Sequence, residues 1–188
     1  MNRAAPILAA IYVISEIAVS ATKRASSGTS HLADRGSLAL LWIIISGSCY
    51  LAFSLEYAKP SLSLGILIAP ARVLGVLLFA AGLAIRWYAI IYLGRFFTVN
   101  VAIASDHELI DGGPYRYVRH PSYSGALMAF VGLGLCIGNW ASIFLITLPI
   151  LLAFLWRIGV EEAALLNGLG DRYRAYMGRT KRLIPGVY

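Results

Sequence analysis

Arg157 and Glu161 stand four residues apart in WRIGVEEAALL (156–166). A second polar cluster, TVNVAIASDHELIDGGPYRYVRHPSY (98–123), sets Arg116, Arg119 and His120 between tyrosines and prolines. Arginine, glutamate, histidine and tyrosine are the side chains of ion pairing and directed hydrogen bonding. What they bind is a question of place, because the run from Tyr123 to Trp156 carries no charged residue. By spacing alone, Arg157 and Glu161 share a helix face and read as a surface ion pair contributing roughly 0.2–0.5 kcal/mol. His120 alone reads as a structural hydrogen-bonder, the tyrosines as an interfacial aromatic belt, and Gly112-Gly113-Pro114 as a turn. Cys49 and Cys136 lie in apolar runs, with neither a CxxC nor a Cys/His ligand spacing. Neither a disulfide framework nor a metal site is therefore expected.

The elements that must position these clusters are membrane helices. Of 188 residues, 59% are hydrophobic and 13% charged, against about 45–50% and about 25% in a soluble domain. The fold class expected is an all-α integral membrane protein, one membrane domain over 1–188. The net charge is +7, yet the basic residues stand in loops between apolar runs. That pattern excludes a nucleic-acid stripe and fits membrane topology and contact with lipid headgroups. The start, MNRAAPILAAIYVISEIAVSA, reads as a first membrane helix rather than a signal peptide. It carries Glu16 and runs into a polar loop with no clear cleavage site.

Spans are expected at 4–22, 37–55, 70–94, 121–137 and 140–158, with 95–120 and 159–188 as cytosolic segments. The apolar stretch from Tyr123 exceeds one span of about 20 residues and divides at the turn-forming pair Gly138-Asn139. Each arm is then about 17 residues, roughly 25 Å of helix. The resulting hairpin brings residues 120–123 to face Arg157, Glu161 and Glu162. Gly125, Ala129 and Gly132 form a small-residue face suited to close helix contact, and also a groove for an apolar chain. Arg86 interrupts the third span. Such a charge marks a transport path, snorkels to the surface, or pairs with Glu16. Most of the 16 Lys and Arg fall in the first loop, the 95–120 segment and the tail, with Arg3, Lys59 and Arg72 on the other side. This puts the N-terminus outside and the C-terminus in the cytosol.

The stretch DHELIDGGPYRYVRHPSYSG (106–125), followed by EEAALLNGLGDRYRAYMGRTKRLIPG (161–186), resembles the isoprenylcysteine carboxyl methyltransferase family. The resemblance is to its prokaryotic branch, within a membrane superfamily that also holds phospholipid methyltransferases, and covers about residues 85–188. It implies an enzyme using S-adenosylmethionine without a Rossmann fold, in keeping with the absence of a G-x-G-x-x-G motif after a strand. It places cofactor contacts on Asn100, on His107, Glu108, Leu109 and Ile110, on Tyr115, on His120, Pro121, Ser122 and Tyr123, and on Glu161. Asn100 stands where eukaryotic relatives carry glutamine, and both are amides. Arg157 takes the place of the substrate-contacting arginine, and Arg157 and Glu161 are the expected catalytic pair.

On that resemblance, Glu161 would take the cofactor's ammonium group, and His120 or the amides opened by Pro121 its carboxylate. Aromatic faces would surround the sulfonium. The implied acceptor is an amphiphilic carboxylate held by Arg157 and drawn from the lipid phase. Two other readings accompany it: methylation of a phospholipid or other lipid amine, and a non-enzymatic small transporter or scaffold. The implied setting is the bilayer, with prokaryotic inner membrane expected and neither nucleic acid nor metal as partner.

Overall fold

The computed structural model describes residues 4–22, 36–58, 60–97 and 109–188. Six α-helices account for most of them: α1 (Ala4–Thr22), α2 (Ser37–Ala58), α3 (Ile68–Leu93), α4 (Pro121–Ile137), α5 (Trp140–Leu169) and α6 (Asp171–Arg179). Among the described residues, strand pairing is confined to two isolated bridges. Four helices, α1, α2, α3 and α5, are long and apolar enough to cross a membrane, and α4 is a shorter apolar helix. Outward-facing Ile14, Ile43, Leu77, Ile91 and Phe144 are all more than half exposed. In water such surface would aggregate. Helices satisfy their own backbone groups, so the same surface suits lipid.

The third helix starts at Ile68 and ends at Leu93, against the expected 70–94, with Pro70 in its first turn. The turn between α4 and α5 falls at Gly138-Asn139. Gly138 sits at φ +83°, where a side chain would be strained and would also meet Ile68. Asn139 caps α5, its Oδ1 accepting from the amides of Ala141 (2.9 Å) and Ser142 (3.3 Å). α5 then runs without a break past the apolar stretch to Leu169, carrying Arg157, Glu161 and Glu162 on one continuous helix. Pro149 inside it withdraws one backbone donor.

α4 is the buried centre. It packs against α3 along its length and against α5, while α2 covers α5 and α1 touches both α3 and α4. The α3–α4 contact is a backbone-to-backbone seam. A Cβ on Gly82 would stand 2.5 Å from the Gly125 carbonyl, and one on Gly132 would stand 2.5 Å from the Gly75 carbonyl. The face Gly125–Ala129–Gly132 is thus filled by α3. It provides the close helix contact expected of it, but not a groove for an apolar chain, because no space remains between the two backbones.

The C-terminal tail returns to the base of α4. The amides of Arg119 and His120 donate to the carbonyls of Lys181 (2.8 Å) and Arg182 (3.0 Å). The Ser124 hydroxyl donates to the Leu183 carbonyl at 2.7 Å. α6 anchors through the Tyr176 hydroxyl, which donates to the Tyr115 carbonyl at 2.6 Å. The tail thereby fixes the loop that leads into α4.

Candidate active site

Where the ends of α4 and α5 meet α1, α2, α3 and α6, the helices leave one large cavity. Its open space, mouth included, is about 1310 Å³. One part of the wall is apolar and comes from membrane helices: Val19, Leu41, Trp42, Ile45 and Phe154. The other is polar and aromatic: Tyr115, His120, Ser122, Tyr123, Arg157 and Glu161, with Tyr173 and Tyr176 from α6.

Of the residues expected at the site, Leu109, Ile110, Tyr115, His120, Ser122, Tyr123, Arg157 and Glu161 all line this cavity. Pro121 is buried at the first position of α4 and is not in the cavity wall. Asn100, His107 and Glu108 lie outside the described residues.

Arg157 and Glu161 share a helix face without pairing. Arg157 is 3% exposed. Its Nε donates to the Tyr123 hydroxyl at 3.2 Å, and its Nη1 donates to the Ser37 hydroxyl of α2. Glu161 is half-buried in the cavity wall and has no hydrogen bond or ion pair among the described residues. The helix-end ion pair suggested by spacing alone does not form, because α4 and α2 engage the arginine instead. A carboxylate left without a partner inside a cavity is a ready acceptor for a ligand cation.

Glu162 has the opposite environment. It is 4% exposed and receives Arg119 Nε at 2.8 Å, Arg182 Nε at 2.9 Å and a ring nitrogen of His120 at 3.2 Å. Arg119 also donates to the carbonyls of Met177 and Thr180. This hub joins α5, the 118–120 loop and the tail, and it orients His120 at the cavity wall. Sequence reasoning set Glu162 opposite residues 120–123, as its contact with His120 shows, but gave it no role of its own. The one available signal was that adjacent helical residues point about 100° apart, so a Glu-Glu pair serves two environments.

Arg86 pairs with Glu16 through two bonds, Nε to Oε1 at 2.6 Å and Nη2 to Oε2 at 2.8 Å. Its Nη1 donates to the Ser122 hydroxyl at 3.0 Å. Of the three readings of this charge, pairing with Glu16 is the one the fold adopts. Both residues stand in the cavity wall.

The start of α4 offers fewer backbone donors than expected. The amides of Tyr123 and Ser124 both donate to the His120 carbonyl, at 3.0 and 3.1 Å, and Pro121 has no amide proton. The hydroxyls of Ser122 and Tyr123, and the Ser122 amide, which has no partner among the described residues, are the donors the first turn leaves open. Outside the membrane-capable helices, burial foremost pushes the phenols of Tyr115 and Tyr173 up, and that of Tyr176 up to about 12. They remain neutral rings and donors rather than bases. Among the described residues no cluster of metal-ligating side chains occurs.

A bundle of membrane-capable helices whose interior cavity joins an apolar wall to a polar aromatic rim defines an intramembrane protein with an amphipathic cavity. Residues 70–172 match the family model for phospholipid methyltransferase, more than half of the chain, and the chain belongs to that family. Among curated relatives, the protein-S-isoprenylcysteine O-methyltransferase of Schizosaccharomyces pombe is 37% identical over 106 residues, covering 55% of this chain and 45% of that protein. The probable protein-S-isoprenylcysteine O-methyltransferase of Oryza sativa subsp. indica is 33% identical over 115 residues, 60% of each chain. A solved structure of the eukaryotic intramembrane Ras methyltransferase ICMT (isoprenylcysteine carboxyl methyltransferase) superposes with a TM-score of 0.65 at 29% identity. The match covers 79% of this chain and 53% of that one. The chain thus matches about half to three fifths of the length of these relatives.

Proposed function

We propose that the protein is a membrane-embedded, S-adenosylmethionine-dependent methyltransferase that methylates the carboxylate of an amphiphilic, isoprenylcysteine-like acceptor. One observation carries this reading: a single cavity holds a carboxylate with no partner among the described residues, Glu161, and a buried arginine, Arg157, one helical turn apart, with an apolar wall beside them. The names of the relatives support the same chemistry.

The donor set fits the cofactor. Glu161 takes the ammonium group as a charge-assisted acceptor. The Ser122 and Tyr123 hydroxyls offer protons to a carboxylate, and the rings of Tyr115, Tyr123, Tyr173 and Tyr176 supply faces for adenine and for a cation. His120, held by Glu162, closes this wall. S-adenosylmethionine, when bound, supplies an electrophilic methyl group. Arg157 holds the acceptor carboxylate, and its bond to Tyr123 keeps the guanidinium from swinging away. A carboxylate is already deprotonated at neutral pH, so the chain needs no general base. Its task is alignment of the acceptor oxygen and exclusion of water by the apolar wall. The acceptor tail lies along that wall, between α1, α2 and α5, rather than in the α3–α4 seam.

The chain is read as one membrane domain in a prokaryotic inner membrane. Its N-terminus is outside, and the cavity's polar rim is at the cytosolic face, following the distribution of basic residues.

The test is incubation of detergent-purified protein with methyl-labelled cofactor and a panel of prenyl-thioether carboxylates and phospholipid amines. Label in an alkali-labile ester supports the reading. Label in an alkali-stable N-methyl product replaces the carboxylate acceptor with a lipid amine, and no incorporation with no cofactor binding removes the enzymatic reading.

A further inference from the structure

Two arginines from different helices donate to neighbouring hydroxyls on the first turn of α4: Arg86 to Ser122 and Arg157 to Tyr123. A hydroxyl carries one proton and two lone pairs, and a guanidinium can only donate. Once a guanidinium occupies a lone pair, the hydroxyl proton is left to find an acceptor elsewhere. Neither the Ser122 nor the Tyr123 hydroxyl donates to any described residue, and both side chains line the cavity. The first turn of α4 thus aims two protons at whatever the cavity holds.

Arg86 is itself held in place. Glu16 takes Nε and Nη2 in a two-pronged pair, which leaves Nη1 to reach Ser122. The carboxylate also balances the guanidinium charge. A bidentate fork fixes direction as well as distance. The pair ties α1 to α3 and points the remaining arm at α4.

We propose that Arg86, held by Glu16, is a positioning residue that fixes the Ser122 hydroxyl as a hydrogen-bond donor into the cavity, toward a carboxylate. That carboxylate belongs either to S-adenosylmethionine or to the acceptor. The inference rests on the methyltransferase reading, and it gives a task to an intramembrane charge which that reading leaves unused.

The experiment uses the whole chain in detergent. It measures S-adenosylhomocysteine affinity by calorimetry, acceptor KM and kcat with a prenyl-thioether carboxylate, and thermal unfolding. The variants are Ser122→Ala, Arg86→Lys, the two combined, Arg86→Glu, and the exchange Glu16→Arg with Arg86→Glu. Ser122→Ala and Arg86→Lys each weaken one carboxylate partner by roughly tenfold, the loss of a hydrogen bond to a charged group. Combined, they lose no more than either alone, because both act through one proton. The exchange variant recovers thermal stability relative to Arg86→Glu alone but not affinity, since a carboxylate at position 86 accepts the Ser122 proton instead of freeing it. Weaker S-adenosylhomocysteine binding at unchanged acceptor KM assigns the partner to the cofactor. Unchanged binding with a raised acceptor KM assigns it to the acceptor. An active wild type with an indifferent Ser122→Ala, with additive losses in the double variant, or with full recovery by the exchange overturns the inference alone. A wild type that neither binds S-adenosylhomocysteine nor methylates any acceptor overturns the methyltransferase reading and this inference with it.

Discussion

Glu161 and Glu162 are adjacent in sequence and opposite in environment, and the difference sets two separable predictions. Glu161 lines the cavity with no partner among the described residues, so Glu161→Ala should leave the fold intact and weaken S-adenosylhomocysteine binding. The expected loss is about 1.5–3 kcal/mol, roughly tenfold to a hundredfold, read by calorimetry. Normal binding by this variant would remove Glu161 from the cofactor site. Arg157→Ala should mainly raise the acceptor KM, with cofactor binding less affected. Glu162 is enclosed by Arg119, Arg182 and His120. Removing a buried acceptor that two guanidinium groups share strands those charges. Glu162→Ala should cost about 3–5 kcal/mol and lower the thermal unfolding temperature, and an unchanged melting curve would count against the hub.

At the scale of elements, the α3–α4 seam depends on hydrogen atoms at Gly75, Gly82, Gly125 and Gly132. A methyl on Gly82 would meet the Gly125 carbonyl and the backbone of Ala129. Backbone cannot rotate away as a side chain can, so Gly82→Ala should destabilise by about 1–3 kcal/mol through overpacking. Gly159 in α5 is the control, since a Cβ there meets nothing within 4 Å. Gly159→Ala should be neutral or stabilising by about 0.5–1 kcal/mol, because alanine loses less backbone freedom in a helix. Thermal unfolding in one detergent decides the sign of each, and equal effects at both positions would contradict the seam. The other sensitive junction is the α4–α5 turn. Asn139→Ala removes the cap of α5 and should cost about 0.5–2 kcal/mol.

At the scale of the whole molecule, the cavity puts a polar aromatic rim beside membrane-level apolar wall, so acceptor preference should track tail length. Each buried methylene contributes about 0.8 kcal/mol. Shortening a fully buried tail by five carbons should therefore cost on the order of 4 kcal/mol in kcat/KM, less what micelle partitioning masks. A series of thioether carboxylates at fixed detergent should climb in efficiency and then level off. Equal turnover of a short water-soluble carboxylate would remove entry from lipid while leaving methyl transfer untouched. Bulky substitutions at Leu41 or Ile45, in the apolar wall, should impair long tails more than short ones.

The chain by itself determined the helices, the hairpin turn and the two polar clusters, because these are local properties. An apolar run of sufficient length, a Gly-Asn pair and a Pro-led helix start can be read in one dimension. It also determined that residues 120–123 and Arg157 meet, since a tight turn at Gly138-Asn139 leaves the arms of a hairpin little choice. Tertiary structure decided what depended on a third helix. Arg86 found Glu16 at a sequence separation of 70, and the chain alone offered three fates for that charge. The small-residue face of α4 met α3, which excluded a groove. Arg157 turned to Tyr123 and Ser37 and left Glu161 to the cavity, while the tail supplied Arg182 to Glu162 and carbonyls to the 118–120 loop. The physical reason is common to all four. A side chain's partner, or a helix face's neighbour, is chosen among segments far apart in the chain, whereas local spacing reports only on residues three or four positions away.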